Sequence, residues 1–249
     1  MIRYKSESEI EAIRHGGRIL RQTLELVNRH CVPGVRTQEL DQMAEQYIRE
    51  QGGKPSFKGY RGFPGSLCIS INEEVVHGIP GRRKLREGDL VSVDCGVTWE
   101  GFVADSATTI AVGEVEPELQ KLMDITRESL YLGIDQARPG NFIRDISKAV
   151  QDHVEKNGFT VVRDLVGHGV GHSVHEEPQV PNFVGPRKGP KILPGLVIAI
   201  EPMVNVGTCD VVMLADNWTI VTRDRLPSAH FEHTIAVTEN GPRILTNGD

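Results

Sequence analysis

The chain repeats its own plan about 106 residues along, and this repeat constrains its fold more than any other feature of its 249 residues. Ser6-x-x-Glu9 and Ser8-x-x-Glu11 both have the spacing of a helix capping box, and Ile10, Ile13, Leu20, Leu24 and Val27 follow at helical intervals. Val32-Pro33-Gly34 ends that helix. Thr37 is placed to cap a second one, with Leu40, Met43, Tyr47 and Ile48 on one face and Gly52-Gly53 closing it. In the second half, Leu119, Leu122, Met123, Thr126, Leu130 and Ile134 mark a long helix ended by Arg138-Pro139-Gly140. Ile143, Ile146, Val150 and Val154 mark the next, ended by Asn157-Gly158. Pro33 maps onto Pro139, Gly34 onto Gly140, Ile48 onto Val154 and Gly52 onto Gly158, all at one offset.

The strand segments follow with a shift of one residue. Glu87 to Asp94 parallels Leu193 to Glu201, which sets Asp94 against Glu201. Asp105 to Val112 parallels Glu232 to Val237, after an insertion in the second half. The pattern predicts a single α+β domain over residues 1–249, in pseudo-twofold halves spanning roughly 10–112 and 116–240. Carboxylates from each half would meet at the axis.

Five residues able to bind metal sit in these apolar segments: Asp94, Asp105, His168, Glu201 and Glu232. An unpaired buried carboxylate is costly, so such interruptions need a partner. No basic residue lies between Asp94 and Asp105, or between Glu201 and Arg223, so salt bridges within the strands are not on offer. Divalent cations are the simpler partner, and this ligand mix suits a two-metal hydrolytic centre. A hairpin turning at Trp99-Glu100 would set Asp94 opposite Asp105, about 4.5–5.5 Å apart at Cβ. A turn at Asp216-Asn217 would likewise oppose Glu201 and Glu232, outside an inner hairpin of Val211–Leu214 and Trp218–Val221.

His168 lies in Gly167-His168-Gly169-Val170-Gly171-His172, where the glycines argue against a helical metal pair and permit close approach to a ligand or substrate. His175-Glu176-Glu177 is not an HExxH motif. Amide hydrolysis by two metals needs a base and donors for the oxyanion, for which Glu201, His77 and His175 are the candidates. Taken alone, His77 would more often be structural. His15, His30, His153, His230 and His233 carry no pattern and read as surface or packing residues.

A hydrophobic content of 39% and a charged content of 25% are those of an ordinary globular protein, and no stretch is long enough to span a membrane. The N-terminal segment is charged and has no apolar run of the secretory kind. A net charge of −6 gives no reason to expect nucleic-acid binding, and Arg82-Arg83-Lys84 with Arg86 reads as a solvated loop. Cys31, Cys68, Cys95 and Cys209 form no CxxC pair, which predicts reduced thiols and a cytoplasmic location.

The ordered set SINEEVVHGIP, VSVDCG, DSATT, GHGVGHSVHEEP, IEPM and FEHTIAV resembles the methionine aminopeptidases of the shorter, type I class, across essentially the whole chain. The resemblance implies the pita-bread fold shared with creatinase and prolidase, and removal of the initiator methionine from new proteins. It implies two divalent ions (Co, Mn, Fe or Zn) on Asp94, Asp105, His168, Glu201 and Glu232, with Asp105 and Glu232 spanning both. It assigns His77 and His175 to catalysis, Glu201 to proton transfer and Asp94 to holding the α-amine. Tyr60, Phe63, Cys68 and Trp218 would line the methionine pocket, although these residues by themselves read as core packing. Asn72 and Ser228 fall in segments that would hold one monovalent cation. Val174 is smaller than the aromatic or long aliphatic residue common before the second histidine, which predicts a looser pocket wall. The substrate makes ribosome association an expectation that no motif carries, and the chain is expected to act as a monomer. Prolidase and creatinase are the enzymatic rivals, and a partner-binding pita-bread protein without catalysis is the rival of another class.

Overall fold

The computed structural model of the chain describes residues 1–248. Four helices pack against antiparallel sheets: α1 (Glu7–His30), α2 (Thr37–Glu50), α3 (Pro117–Asp135) and α4 (Ile143–Lys156). The repeat read from the sequence is explicit. Helices α2 and α4 are both 14 residues long and start 106 positions apart. Each is followed by a two-residue strand, Lys54–Pro55 and Thr160–Val161, at the same offset. Gly34, Gly140, Gly52 and Gly158 all have positive φ, the conformation that glycine supplies at helix ends without steric cost.

At the start of α1 the chain uses the first of its two capping boxes. The Glu9 amide donates to Ser6 Oγ at 3.4 Å, and the Ser6 amide donates to Glu9 Oε2 at 2.7 Å. Thr37 does not cap α2. It is the first helical residue, and its hydroxyl is committed to Gly81, accepting that amide at 2.8 Å. Arg36 is the cap, its amide held by Glu39 Oε2 at 2.8 Å, as the Phe142 amide is held by Asp145 Oδ2 at the head of α4.

Helix α1 buries Ile10, Ile13, Leu20, Leu24 and Val27 against the long hairpin of strands Leu90–Trp99 and Phe102–Ala111. Helix α4 buries Ile143, Ile146, Val150 and Val154 in the matching core of the second half. Each fully buried Leu, Ile or Val stabilises by about 1.5–3 kcal/mol, so these two cores carry most of the driving force. On α2, Ala44 joins Leu40 and Ile48 on the buried stripe, while Met43 and Tyr47 are only half-buried. Gly17 lies in α1 because a Cβ there would come 2.0 Å from the Leu245 carbonyl oxygen, where the C-terminal segment crosses the helix.

The halves are stitched along one line. The amide of Glu232 donates to the carbonyl of Ala107 at 3.0 Å, Asp105 N donates to Thr234 Oγ1 at 2.9 Å, and His230 N donates to Thr109 Oγ1 at 2.8 Å. This seam runs antiparallel and brings the carboxylate strand of one half beside that of the other.

The hairpin register differs from the sequence expectation. Trp99 pairs with Phe102 around a turn at Glu100-Gly101, both with positive φ, as a tight primed turn requires. Asp94 therefore pairs with Ala107, and Asp105 with Gly96. The two aspartates share a face as diagonal neighbours rather than as direct opposites, a separation that side chains still bridge. The second expectation was less direct, yet its register is the one found. Ile200 pairs with His233, Met203 with His230 and Met213 with Ile220, a register that sets Glu201 opposite Glu232.

Candidate active site

Asp94 and Asp105 come from the first-half hairpin, while His168 comes from the short strand Gly167–Gly169. Glu201 directly follows strand Val197–Ile200, and Glu232 directly precedes strand His233–Thr238. The structure brings all five to the lining of a cavity of about 190 Å³. Ligand atoms of Asp105, His168 and Glu232 lie within 4.8 Å of one another. The glycines around His168 serve the strand rather than a ligand. A Cβ at Gly167 would sit 2.5 Å from the Ala199 carbonyl oxygen, and one at Gly169 would sit 2.3 Å from that of Glu177.

The electrostatics are those of a site built for positive charge. Asp94 Oδ1, Asp105 Oδ1 and Glu232 Oε1 are buried with no hydrogen-bond partner. Burial pushes Asp94 up to about 7. Burial, together with the neighbouring carboxylates, pushes Asp105, Glu201 and Glu232 well above the usual range. Burial, with the neighbouring His175, lowers His168 to about 4, so its imidazole is neutral. Its Nδ1 lies 3.0 Å from the Gly169 carbonyl oxygen and donates to it, which leaves the Nε2 lone pair free, 3.3 Å from Glu201 Oε1. Neutral imidazole plus orphaned carboxylate oxygens is a donor set that fits divalent metal.

His77 and His175 line the same cavity. His77 follows strand Glu74–Val76 with φ +59, and burial lowers it to about 4. The ring of His175 lies 4.3 Å from that of His168, and its Nδ1 is 2.9 Å from Tyr60 Oη. Burial and the Arg61 cation hold His175 below its ordinary value. Tyr60, Phe63, Cys68 and Trp218 all line the same cavity, with Phe63 and Trp218 in edge contact at 5.1 Å. Trp218 reaches the site because strand Ile220–Thr222 of the insertion pairs with strand Glu74–Val76, which ends at His77.

Several residues escaped the sequence reading, and one expectation is corrected. Phe57 lines the cavity, whereas Val174 is packed in the first-half core and is not among the wall residues. Arg61 stands at the rim. His230 is not a surface residue: it is buried, with its unpartnered Nε2 3.7 Å from Glu201 Oε2. The signal for His230 was available, because a residue two before Glu232 in an extended segment shares its face. Asn72 and Ser228 are neighbours, with Ser228 N donating to the Asn72 carbonyl at 2.9 Å, but the Asn72 side chain is engaged by Asp89 and Leu90. A larger, open groove of about 780 Å³ lies beside α4, and the clustered carboxylates and histidines are absent from its walls.

The model of metallopeptidase family M24 matches residues 11–239. The chain belongs to that family. A methionine aminopeptidase of Clostridium perfringens is 52% identical over 246 residues, covering 99% of both chains. The crystal structure of a methionine aminopeptidase from Thermotoga maritima superposes with a TM-score of 0.97 at 44% identity, again over 99% of each chain. An Xaa-Pro dipeptidase from Bacillus anthracis reaches a TM-score of 0.81 at 23% identity, covering 99% of this chain and 62% of its own, a likeness of fold alone. This M24 peptidase has the pita-bread fold, is a hydrolase, and stands with the methionine aminopeptidases. Among its described residues no helix is long and apolar enough to cross a membrane.

Proposed function

We propose that this M24 peptidase removes the N-terminal methionine of newly made proteins and peptides by hydrolysis at a dinuclear metal centre. The observation that carries the proposal is the set of orphaned buried carboxylate oxygens and neutral His168 in a cavity also lined by aromatic side chains and the Cys68 thiol. Asp94, Asp105, His168, Glu201 and Glu232 would hold two divalent ions. Bound there, the ions would supply Lewis acidity and a nucleophilic water near neutral pH.

The remaining chemistry is derived from the chain's own residues. Phe63, Trp218, Tyr60 and Cys68 enclose the methionine side chain, a soft thioether that suits aromatic and sulfur contacts. Asp94 receives the free α-amine, so only a chain terminus is accepted. His77 and His175, both neutral, donate to the scissile carbonyl and to the oxyanion that forms from it. The Tyr60 hydroxyl fixes the ring of His175 through Nδ1 and leaves its Nε2–H to donate. Glu201 takes the proton of the attacking water on a carboxylate oxygen and returns it to the departing amine. A monovalent cation would be held at the Asn72 and Ser228 segments. Co, Mn, Fe and Zn all suit these donors, and supply in the cell decides among them. We place the enzyme in the cytoplasm as a monomer meeting new chains near the ribosome, without membrane or specific nucleic-acid contacts.

The test strips the protein of metal, restores Mn or Co, and assays free methionine from a Met-Gly-initiated peptide beside a Leu-initiated one. Metal-dependent release of methionine alone is the expected result. Equal release of leucine would contradict the pocket assignment. Cleavage of Xaa-Pro dipeptides in place of Met-Gly would favour the prolidase-like reading.

A further inference from the structure

The rim of the cavity carries one positive charge, Arg61, that the chemistry above does not use. Of its lining residues only Arg61 and His175 are exposed, so a peptide whose methionine lies among Phe63, Cys68 and Trp218 leads the rest of its chain out past these two. Arg61 sits in a tight turn, Tyr60–Gly62, between Gly59 at φ +83 and Gly62 at φ +90. It adopts the left-handed region itself, at φ +49 and ψ +22. Non-glycine residues rarely adopt that region, and they are held there when the surrounding structure requires it. The turn is closed by Gly59 N donating to Phe63 O at 2.8 Å and Phe63 N donating to Tyr60 O at 2.9 Å. The Arg61 guanidinium lies 5.4 Å from the centre of the Tyr60 ring, and Tyr60 is the residue that holds His175.

Arg61 has no carboxylate within ion-pair distance among the described residues, whereas the nearby Lys58 is paired with Glu45 at 2.5 Å. Every other charged side chain on the cavity wall is a carboxylate or a histidine. A single arginine braced at the exit of an acidic cavity is suited to reading negative charge on the part of the substrate that leaves.

We propose that Arg61 is a specificity residue for the leaving portion of the substrate. Its guanidinium pairs with a carboxylate on the third residue of the peptide, or with the terminal carboxylate of a tripeptide. The proposal rests on the aminopeptidase reading above and adds a substrate class to it.

The test measures kcat/KM for methionine release by the metal-loaded enzyme from Met-Ala-Glu-Ser, Met-Ala-Gln-Ser and Met-Ala-Lys-Ser amides at low salt. Met-Ala-Ser as free acid and as amide runs beside them, to separate side-chain from terminal carboxylates. The expected order is Glu above Gln above Lys, with steps of about two- to five-fold, the range of an exposed ion pair. The steps should lie in KM rather than kcat and shrink in high salt. Ratios taken within each variant cancel any general loss of activity. Arg61→Lys should keep the order, Arg61→Gln should flatten it and Arg61→Glu should invert it. Ratios that do not differ between the parent enzyme and Arg61→Glu would overturn the proposal while leaving the aminopeptidase reading intact. Release from none of the peptides would remove that reading and this proposal with it.

Discussion

Lys5 Nζ lies 2.6 Å from Glu176 Oε2, with the lysine side chain 1% exposed and the glutamate 9%. Glu176 directly follows His175, and its other oxygen accepts the Ser173 amide at 3.0 Å. Burial works against the Glu176 charge, but Lys5 and the Ser173 amide together hold its carboxyl below the usual range. Gly171 completes the contact, since a Cβ there would meet Lys5 Cε at 2.6 Å. The N-terminal segment thus clamps the loop that presents His175. Lys5→Met should cost roughly 3–5 kcal/mol, because it strands a buried carboxylate. The double variant Lys5→Met/Glu176→Gln should recover most of that loss. Chemical denaturation of the three proteins checks the order, and a single variant as stable as the parent would remove the clamp from the account.

Stability of the metal-free protein should fall as pH rises from about 6.5 through about 7. Carboxyls whose folded pKa is raised lose stability from the unfolded value up through the folded one, since the unfolded chain then binds fewer protons. Asp94 at about 7, with Asp105, Glu201 and Glu232 also raised well above their usual range, carries that loss up through neutral pH. The buried histidines act in the opposite sense, but only at lower pH. His77 and His168 at about 4, with His230 at about 3, give up stability as pH falls below about 6.5. Above that point the carboxylates stand alone. Thermal denaturation should show a falling Tm across this window without metal, and a level one with saturating Mn. A level curve in chelator would contradict the mutual repulsion.

Much of this site was legible in the sequence, for reasons that particular residues make plain. The repeat could be read because Gly34 and Gly140, or Gly52 and Gly158, mark helix ends whose positive φ only a few residues adopt cheaply. The carboxylates stood out because apolar strands do not carry charge without a partner. The aspartate register was off by one turn position, since Glu100-Gly101 and Trp99-Glu100 look alike until the backbone shows which pair has positive φ. Phe57 and Arg61 were missed for a different reason. They lie in an irregular loop, where no periodicity tells which side chain faces the cavity.

Gly167→Ala tests whether His168 depends on the close approach of two strands. The added methyl would meet the Ala199 carbonyl oxygen at 2.5 Å and that of Val180 at 3.1 Å, both backbone atoms that cannot rotate away. The strand must shift, at a cost of about 1–3 kcal/mol for overpacking, and His168 moves with it. Metal titration by calorimetry should show weakened affinity. An unchanged affinity would mean that the position of His168 is set elsewhere.

His77→Ala should separate turnover from metal binding. His77 lines the cavity but is not among the close cluster of Asp105, His168 and Glu232, so its loss leaves those donors in place. Its backbone is held by its neighbour, since Gly78 N donates to Ser70 Oγ at 3.1 Å and a Cβ at Gly78 would meet the Ile69 carbonyl oxygen at 2.2 Å. The imidazole is therefore delivered to the cavity by a rigid turn, and removing it should not disturb the fold. Loss of one donor to a developing oxyanion lowers kcat by about 10²–10³. His77→Asn, which keeps an N–H donor, should fall less. Asp105→Asn should instead lose metal and activity together. Calorimetric metal titration beside kcat measures both quantities on each variant. Full turnover in His77→Ala would move the oxyanion donor to His175 alone, while loss of metal in that variant would make His77 part of the metal site.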